Sequence, residues 1–163
     1  MIRIEAKPLP FDESIEAFRD KVPLPADLAG RLIAEAKSRA FFISGVMKED
    51  VIASLYESLD KALAEGTSYS AWKKEATPIF EKAGFAPKGY RLANIFQTNV
   101  LSAYSAGRYQ QLQKIKDARP YWQYVAVMDD RTRPAHAAMH GKVFAADDPV
   151  WETWYPPNGF RCR

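Results

Sequence analysis

The chain has 163 residues, of which 47% are hydrophobic and 26% charged, and it carries a formal net charge of +3. A chain of that length can bury a core without disulfide staples, and its composition excludes intrinsic disorder. The mild charge is no concentrated basic stripe of the kind DNA binders show, and no apolar run nears the roughly 20 residues that span a bilayer.

The single cysteine rules out an internal disulfide. A reducing compartment is expected, and Met1-Ile-Arg-Ile-Glu lacks the apolar stretch of a signal peptide. A soluble protein made in a cytoplasm is the expectation.

In chain order, Phe11-Asp12-Glu13 opens an amphipathic segment with Ile15 and Phe18 on one face, stopped by Pro23 and Pro25. From Asp27, Leu28, Leu32 and Ala36 recur at helical spacing. Phe41-Phe42-Ile43 either packs beneath the helices or pairs as a brief strand. A cleaner helix is predicted over Glu49 to Glu65, with Ile52, Leu55, Leu59 and Leu63 inward and Gly66 as its stop. Ser70 is the expected cap of a helix carrying Trp72, Ile79 and Phe80 and ending near Gly84, with Pro78 set to kink or split it. Gly89 to Ile115 is the strongest helix, with Leu92, Ile95, Phe96, Asn99, Val100, Ala103, Tyr104 and Gly107 along one stripe. Its far end is basic (Arg108, Lys114, Lys116, Arg119), which suits either a solvated helix C-terminus or a contact to nucleic acid.

The composition changes at Pro120. Tyr121 to Met128, rich in aromatic and β-branched residues, reads as a strand. Arg133-Pro134 starts a short helix that Gly141 ends, and Lys142 to Ala145 is a second short strand. The rest reads as loop, with Asp147-Asp148-Pro149 and Pro156-Pro157-Asn158-Gly159 as turns. The expected fold is α+β and predominantly helical: a helical body over residues 1–119, then a small unit over 120–163 with a short hairpin or sheet, a short helix and extended loops. Trp122, Trp151, Trp154, Tyr155 and Phe160 are its expected core, with some left for a partner interface.

That unit gathers both histidines, the only cysteine and the adjacent acids Asp129 and Asp130. His136 and His140, four apart, face one way on a helix, and with Cys162 and Asp130 they would make a mixed tetrahedral set suited to zinc. One histidine filling the small core while the other is exposed accounts for the same spacing. A metallopeptidase is excluded, because Ala137 stands where the zincin motif needs its glutamate. A metal-dependent nuclease or hydrolase acting on DNA is harder to set aside, although spacing places no further acid or base to activate water. No phosphate-cradling loop, dinucleotide fingerprint or nucleophile elbow occurs, so no small-molecule substrate is expected.

Asp130-Arg131-Thr132-Arg133, His136, His140-Gly141, Phe144, Pro156-Pro157, Gly159 and Cys162-Arg163 together resemble the signature of the phage Mu F-type head morphogenesis family. Residues 94–108 resemble the helix before that motif, and Phe11 to Pro25 with Ala40 to Gly66 resemble the helical region of prophage-encoded members. The resemblance implies a minor head protein, non-enzymatic, with the portal and other head proteins as partners and packaged DNA as a further one. It implies the virion, and the bacterial host cytoplasm during assembly, as its place, with no membrane. Cysteines replacing the Asp-Arg-x-His part in some relatives support zinc at His136, His140 and Cys162. Arg131, Arg133, Gly141 and Arg163 complete the motif. The chain stops at Arg163 where a second cysteine is due, so a truncated natural protein or a missing ligand is expected. A DNA-binding adaptor inside the head is the third reading.

Overall fold

A computed structural model describes residues 10–33, 39–82, 84 and 88–158. Ala36, Gly159, Phe160, Cys162 and Arg163 lie outside the described residues.

Helix α1 (Asp12–Arg19) buries Ile15 and Phe18 as its spacing predicts. Pro23 does not simply stop the chain. Strand β1 (Val22–Pro23) pairs in parallel with β2 (Ala40–Phe41). The ladder uses the amides on either side of the proline, Val22 N–H to Arg39 O at 2.8 Å and Leu24 N–H to Phe41 O at 2.9 Å, so the N–H that proline lacks is never required. Between the strands, α2 (Ala26–Gly30) is shorter than the Leu28 and Leu32 spacing suggests, and Ala29 rather than Leu28 faces inward.

Helix α3 (Glu49–Glu65) matches its expected span, and Gly66 ends it at φ 65°. Ile52, Leu55 and Leu59 are buried, whereas Ala62 takes the inner place and Leu63 packs at the margin. Helix α4 (Tyr69–Lys82) is capped two residues earlier than expected: Ser68 Oγ, not Ser70, accepts the Ala71 N–H at 3.3 Å. Pro78 does not split it. Pro78 and Lys74, whose carbonyl loses its helical partner, are both exposed, so water can take up that carbonyl.

Helix α5 (Gly89–Lys114) spans 26 residues, about 39 Å at 1.5 Å per residue. Leu92, Ile95, Phe96 and Ala103 face the body core with Phe18, Phe41, Leu59, Trp72 and Phe80. Tyr104 departs from the expected stripe: it is 55% exposed and meets Phe11 edge-on. One turn further, α1 crosses so closely that a Cβ at Gly107 would stand 2.5 Å from the Ser14 nitrogen and 2.7 Å from its Cα. Below the crossing, Gln111 and Lys114 both reach the Glu13 carboxylate. Arg19 and Asp60 then tie α1 to α3 through two parallel hydrogen bonds of 2.8 and 3.0 Å.

Past Pro120, β3 (Tyr121–Gln123) pairs antiparallel with β4 (Val143–Ala145), Trp122 facing Phe144. The strand expected to run to Met128 keeps a partner for only its first residues, because β4 is three residues long, and Met128 turns the chain at φ 58°. Helix α6 (Pro134–Met139) lies between the strands. The region read as loop contains a further helix, α7 (Val150–Trp154). Asp148 Oδ1 accepts the Val150 N–H at 2.9 Å, a helix-start device that the Asp148-Pro149 pair encodes. Trp122, Tyr124, Met139 and Trp151 form a second core, joined by Leu112 of α5. The result is a predominantly helical α+β chain with a small strand-and-helix unit at its end. Among the described residues no helix is long and apolar enough to cross a membrane.

The crossing at Gly107 gives a test. Alanine gains roughly 1 kcal/mol over glycine inside a helix, but here its methyl would overlap backbone that cannot swing aside. Gly107→Ala should therefore lose about 2 kcal/mol in urea unfolding, while Gly89→Ala, which meets nothing within 4 Å, should lose none. Equal stabilities would show that the crossing yields.

Candidate functional site

Of the signature residues that the structure describes, Asp130 to Arg133 lie in and just after a turn, His136 on α6, His140 and Gly141 just past its end, and Phe144 on the returning strand β4. Along β3 and beyond it, even-numbered residues point their backbone groups toward β4. Tyr124 N–H donates to Lys142 O at 2.9 Å and Gly141 N–H donates to Tyr124 O at 2.8 Å. Gly141 accomplishes this reversal at φ 81°, a left-handed conformation that glycine adopts without strain. The next even residue, Ala126, has no strand opposite it. Its N–H donates instead to His140 Nδ1 at 3.2 Å. The imidazole thus supplies one more rung of the ladder.

His136 points elsewhere. Its Nδ1 lies 2.7 Å from the Tyr124 hydroxyl, and its ring meets Trp154 edge-on with centroids 5.6 Å apart. Tyr124 and Trp154 are themselves perpendicular at 6.0 Å. His140 is the C-cap of α6 with an extended backbone (ψ 131°). Because the chain has left the helix there, the two imidazoles do not share a helical face as four-residue spacing alone suggests.

The acids divide similarly. Asp129 organises the turn: its carboxylate accepts the Arg131 N–H at 3.0 Å and the Thr132 hydroxyl at 3.2 Å, and pairs with the Arg131 guanidinium at 3.1 Å. Asp130 is exposed. Arg133 reaches across to the Asn158 carbonyl at 2.7 Å, and the Asn158 amide donates to Trp154 O at 3.0 Å. Arg133 therefore fastens the segment after α7 to the start of α6. Phe144 packs edge-on against Trp151, whose indole N–H donates to Ala145 O at 2.8 Å.

The hydrogen bond to Ala126 bears on whether His140 can also bind a metal. An imidazole that accepts an amide proton at Nδ1 carries its own proton on Nε2, so His140 has no lone pair free unless it releases Ala126. Among the described residues no group of three or more His, Cys, Asp or Glu gathers closely enough to hold a metal ion, and Cys162 lies outside them. His136 keeps Nε2 as a ligand if its Nδ1–H donates to Tyr124.

The basic end of α5 is partly committed within the fold. Lys114 pairs with Glu13 at 3.2 Å, Lys116 with Asp147 at 2.8 Å, and Arg108 donates to the Gln111 side chain, while Arg119 is exposed. Tyr109, one residue past Arg108, meets Trp122 and Tyr155 edge-on, and burial pushes the Tyr155 hydroxyl up to about 12. Tyr109, Tyr124 and the ladder role of His140 are absent from the sequence reading. Tyr124 was within reach of it, because it lies two residues after Trp122, on the same face of an extended chain.

Two outcomes follow from these bonds. His140→Ala should speed amide hydrogen exchange at Ala126 and cost about 1 kcal/mol of stability; unchanged exchange at Ala126 would remove the extra rung. The Arg131 amide and then its guanidinium hold the Asp129 carboxyl below the usual carboxylate range. A depressed folded-state value means that the turn's stabilisation is complete above the unfolded value and is lost as pH falls through the folded one. The Arg131 amide resonance should therefore titrate below the ordinary aspartate midpoint, and Asp129→Asn should abolish that step.

The chain matches the family described as Phage Mu protein F like protein over residues 53–163. It is 39% identical over 148 residues to "Putative capsid assembly protein F" of Escherichia phage Mu, a match covering 80% of this chain and 34% of that protein. It is 38% identical over 144 residues to "Mu-like prophage FluMu F protein" of Haemophilus influenzae, covering 80% of this chain and 35% of the relative. An uncharacterized protein of Methanocaldococcus jannaschii is 27% identical over 124 residues, covering 71% of this chain and 18% of its own length. The chain thus spans about a third of the length of the first two relatives. No solved structure matches it significantly. With the family match over more than half of its length and the first two relatives at 39% and 38% identity, the chain belongs to the Phage Mu protein F like family.

Proposed function

We propose that this chain acts in building the head of a tailed phage or prophage, as a minor head protein working at or near the portal, without catalysing a reaction. The observation that carries the reading is its kinship with the F proteins of phage Mu and of the Haemophilus prophage, the first of which is named for capsid assembly. The use made of the side chains in and beside the signature supports it. Asp129, Arg131 and Thr132 build a turn, Arg133 fastens a loop, and His136 and His140 are hydrogen-bonded within the unit. Those are the duties of a recognition scaffold. Its partners in this reading are the portal and other head proteins, with packaged DNA reached through Arg108 and Arg119. Its places are the virion and the host cytoplasm during assembly.

The chain, expressed during induction of a Mu-like prophage, should co-sediment with procapsids and be recovered with portal protein. Recovery only in the unassembled fraction would overturn the reading. Cleavage of plasmid DNA with added magnesium, manganese or zinc, abolished by His136→Ala, would instead establish a hydrolase.

Zinc at His136, His140, Cys162 and Asp130 is a separate proposal, and it requires His140 to release the Ala126 amide. Elemental analysis of protein purified without chelator or His tag would then find about one zinc per chain. Metal-free protein would end it.

A further inference from the structure

We propose that Glu13 of α1 is a built-in competitor for duplex DNA at the far end of α5. Its carboxylate occupies the donors that would otherwise take a DNA phosphate, so Lys114 joins the contact only when that carboxylate is displaced. The inference rests on the reading that α5 reaches packaged DNA, and it concerns how that contact is restrained.

Tyr104, Arg108, Gln111 and Lys114 follow one another at steps of four, three and three residues, which places them in one row along α5. Tyr104, Arg108 and Lys114 are exposed and Gln111 is half-buried. The row is about 15 Å long at the helical rise. Its side chains are of the types that donate to phosphate oxygens along a nucleic-acid backbone.

The start of α1 lies on this row. Phe11 meets the Tyr104 ring edge-on. Glu13 Oε2 accepts the Gln111 side-chain amide at 3.3 Å, and Oε1 accepts the Lys114 ammonium at 3.2 Å. The Gln111 side-chain carbonyl accepts in turn from Arg108 at 3.2 Å. To such donors a carboxylate presents what a phosphate presents, a negative charge on fixed acceptor oxygens.

Glu13 is held in place by the helix crossing. A Cβ at Gly107 would stand 2.8 Å from the Glu13 carbonyl carbon, so the backbone that carries the carboxylate is pressed against α5. Its side chain keeps 23% exposure, against 67% for that of Lys114. An acid in the first turn favours a helix start wherever its side chain points, and Asp12 serves α1 in that way from an exposed position. Glu13 is turned onto α5 instead.

The other charges at this end leave little surplus. Lys116 is paired with Asp147, whose side chain is 73% exposed. Asp117 and Arg119 are both exposed. With Lys114 and Lys116 each facing an acid, Arg108 and Arg119 carry the contact against Asp117, and removing one carboxylate changes that balance strongly. An exposed ion pair is worth little by itself, so a phosphate can displace Glu13.

The test measures binding of the full chain to a short blunt duplex of mixed sequence over a series of salt concentrations. Glu13→Gln keeps an acceptor oxygen for Gln111 and removes the charge. It should bind about fivefold more tightly than the unaltered chain. Its log–log salt slope should steepen by about 0.9, the mark of one further phosphate contact. Adding Lys114→Met should return both quantities to those of the unaltered chain. Asp12→Asn, the same change of charge on the same turn, should leave the slope unchanged and gain no more than about twofold. In the unaltered chain, the duplex should shift the Glu13 carboxyl and Gln111 side-chain amide resonances, a readout that needs no variant. DNA binding without those shifts, an unchanged slope for Glu13→Gln, or a gain that survives Lys114→Met would each overturn the competitor and leave the DNA contact standing. A duplex bound by no variant, Glu13→Gln included, would overturn the DNA reading of α5 and this inference with it.

Discussion

The contact on which the rest depends is the crossing of α1 over α5 at Gly107. The absence of a side chain there lets the backbone of Glu13 and Ser14 lie against the helix, and that closeness sets where everything else on α5 can go. Before the crossing, Leu92 to Ala103 fill the body core. After it, Tyr109 and Leu112 enter the second core with Trp122 and Tyr155. One unbroken helix thus serves both cores, and the small unit packs on the last turns of α5.

The second core explains why a short segment can hold its shape. A two-stranded ladder with three residues in each strand is marginal by itself. Here Trp122, Phe144, Trp151 and Tyr155 pack in tilted and edge-to-face pairs against one face of it. His140 lengthens its hydrogen bonding by one residue, and Arg133 closes its far side. The two histidines that look like a ligand pair in sequence are divided between different tasks, because α6 ends between them. A metal bond from His140 would mean giving up the Ala126 amide. The proposed zinc site and this hydrogen bond therefore exclude one another.

Much of the body was legible because helical periodicity survives in sequence. Glu49 to Glu65 and Gly89 to Lys114 carry apolar residues at a spacing that only a helix can bury on one side, and Gly66 marks its stop by conformation alone. What escaped depended on partners distant in sequence. Pro23 reads as a breaker until the register shows that its missing N–H is not called upon. Pro78 reads as a split until its turn proves to face water. The strand expected to reach Met128 is cut short by the length of β4, a property of residues some twenty positions away. Tyr124 became a site residue only when His136 folded back onto it. Gly107 lay on the predicted stripe, but nothing local says that another backbone must touch it.

The truncated pairing of β3 is informative in its own right. The sequence from Tyr121 to Val127 has the two-sided apolar character of an interior strand, yet within the described chain it is an edge. Proteins usually protect such edges with charges pointing along them, prolines or bulges. Here the outward positions are tyrosine, glutamine and two valines, and the nearest cations stand at the ends, not in the middle. Nothing in that row discourages a neighbour. An edge left open in this way is stable in a free chain only because the second core and the last turns of α5 hold its inner face. The tight packing of that inner face is what allows the outer one to remain available.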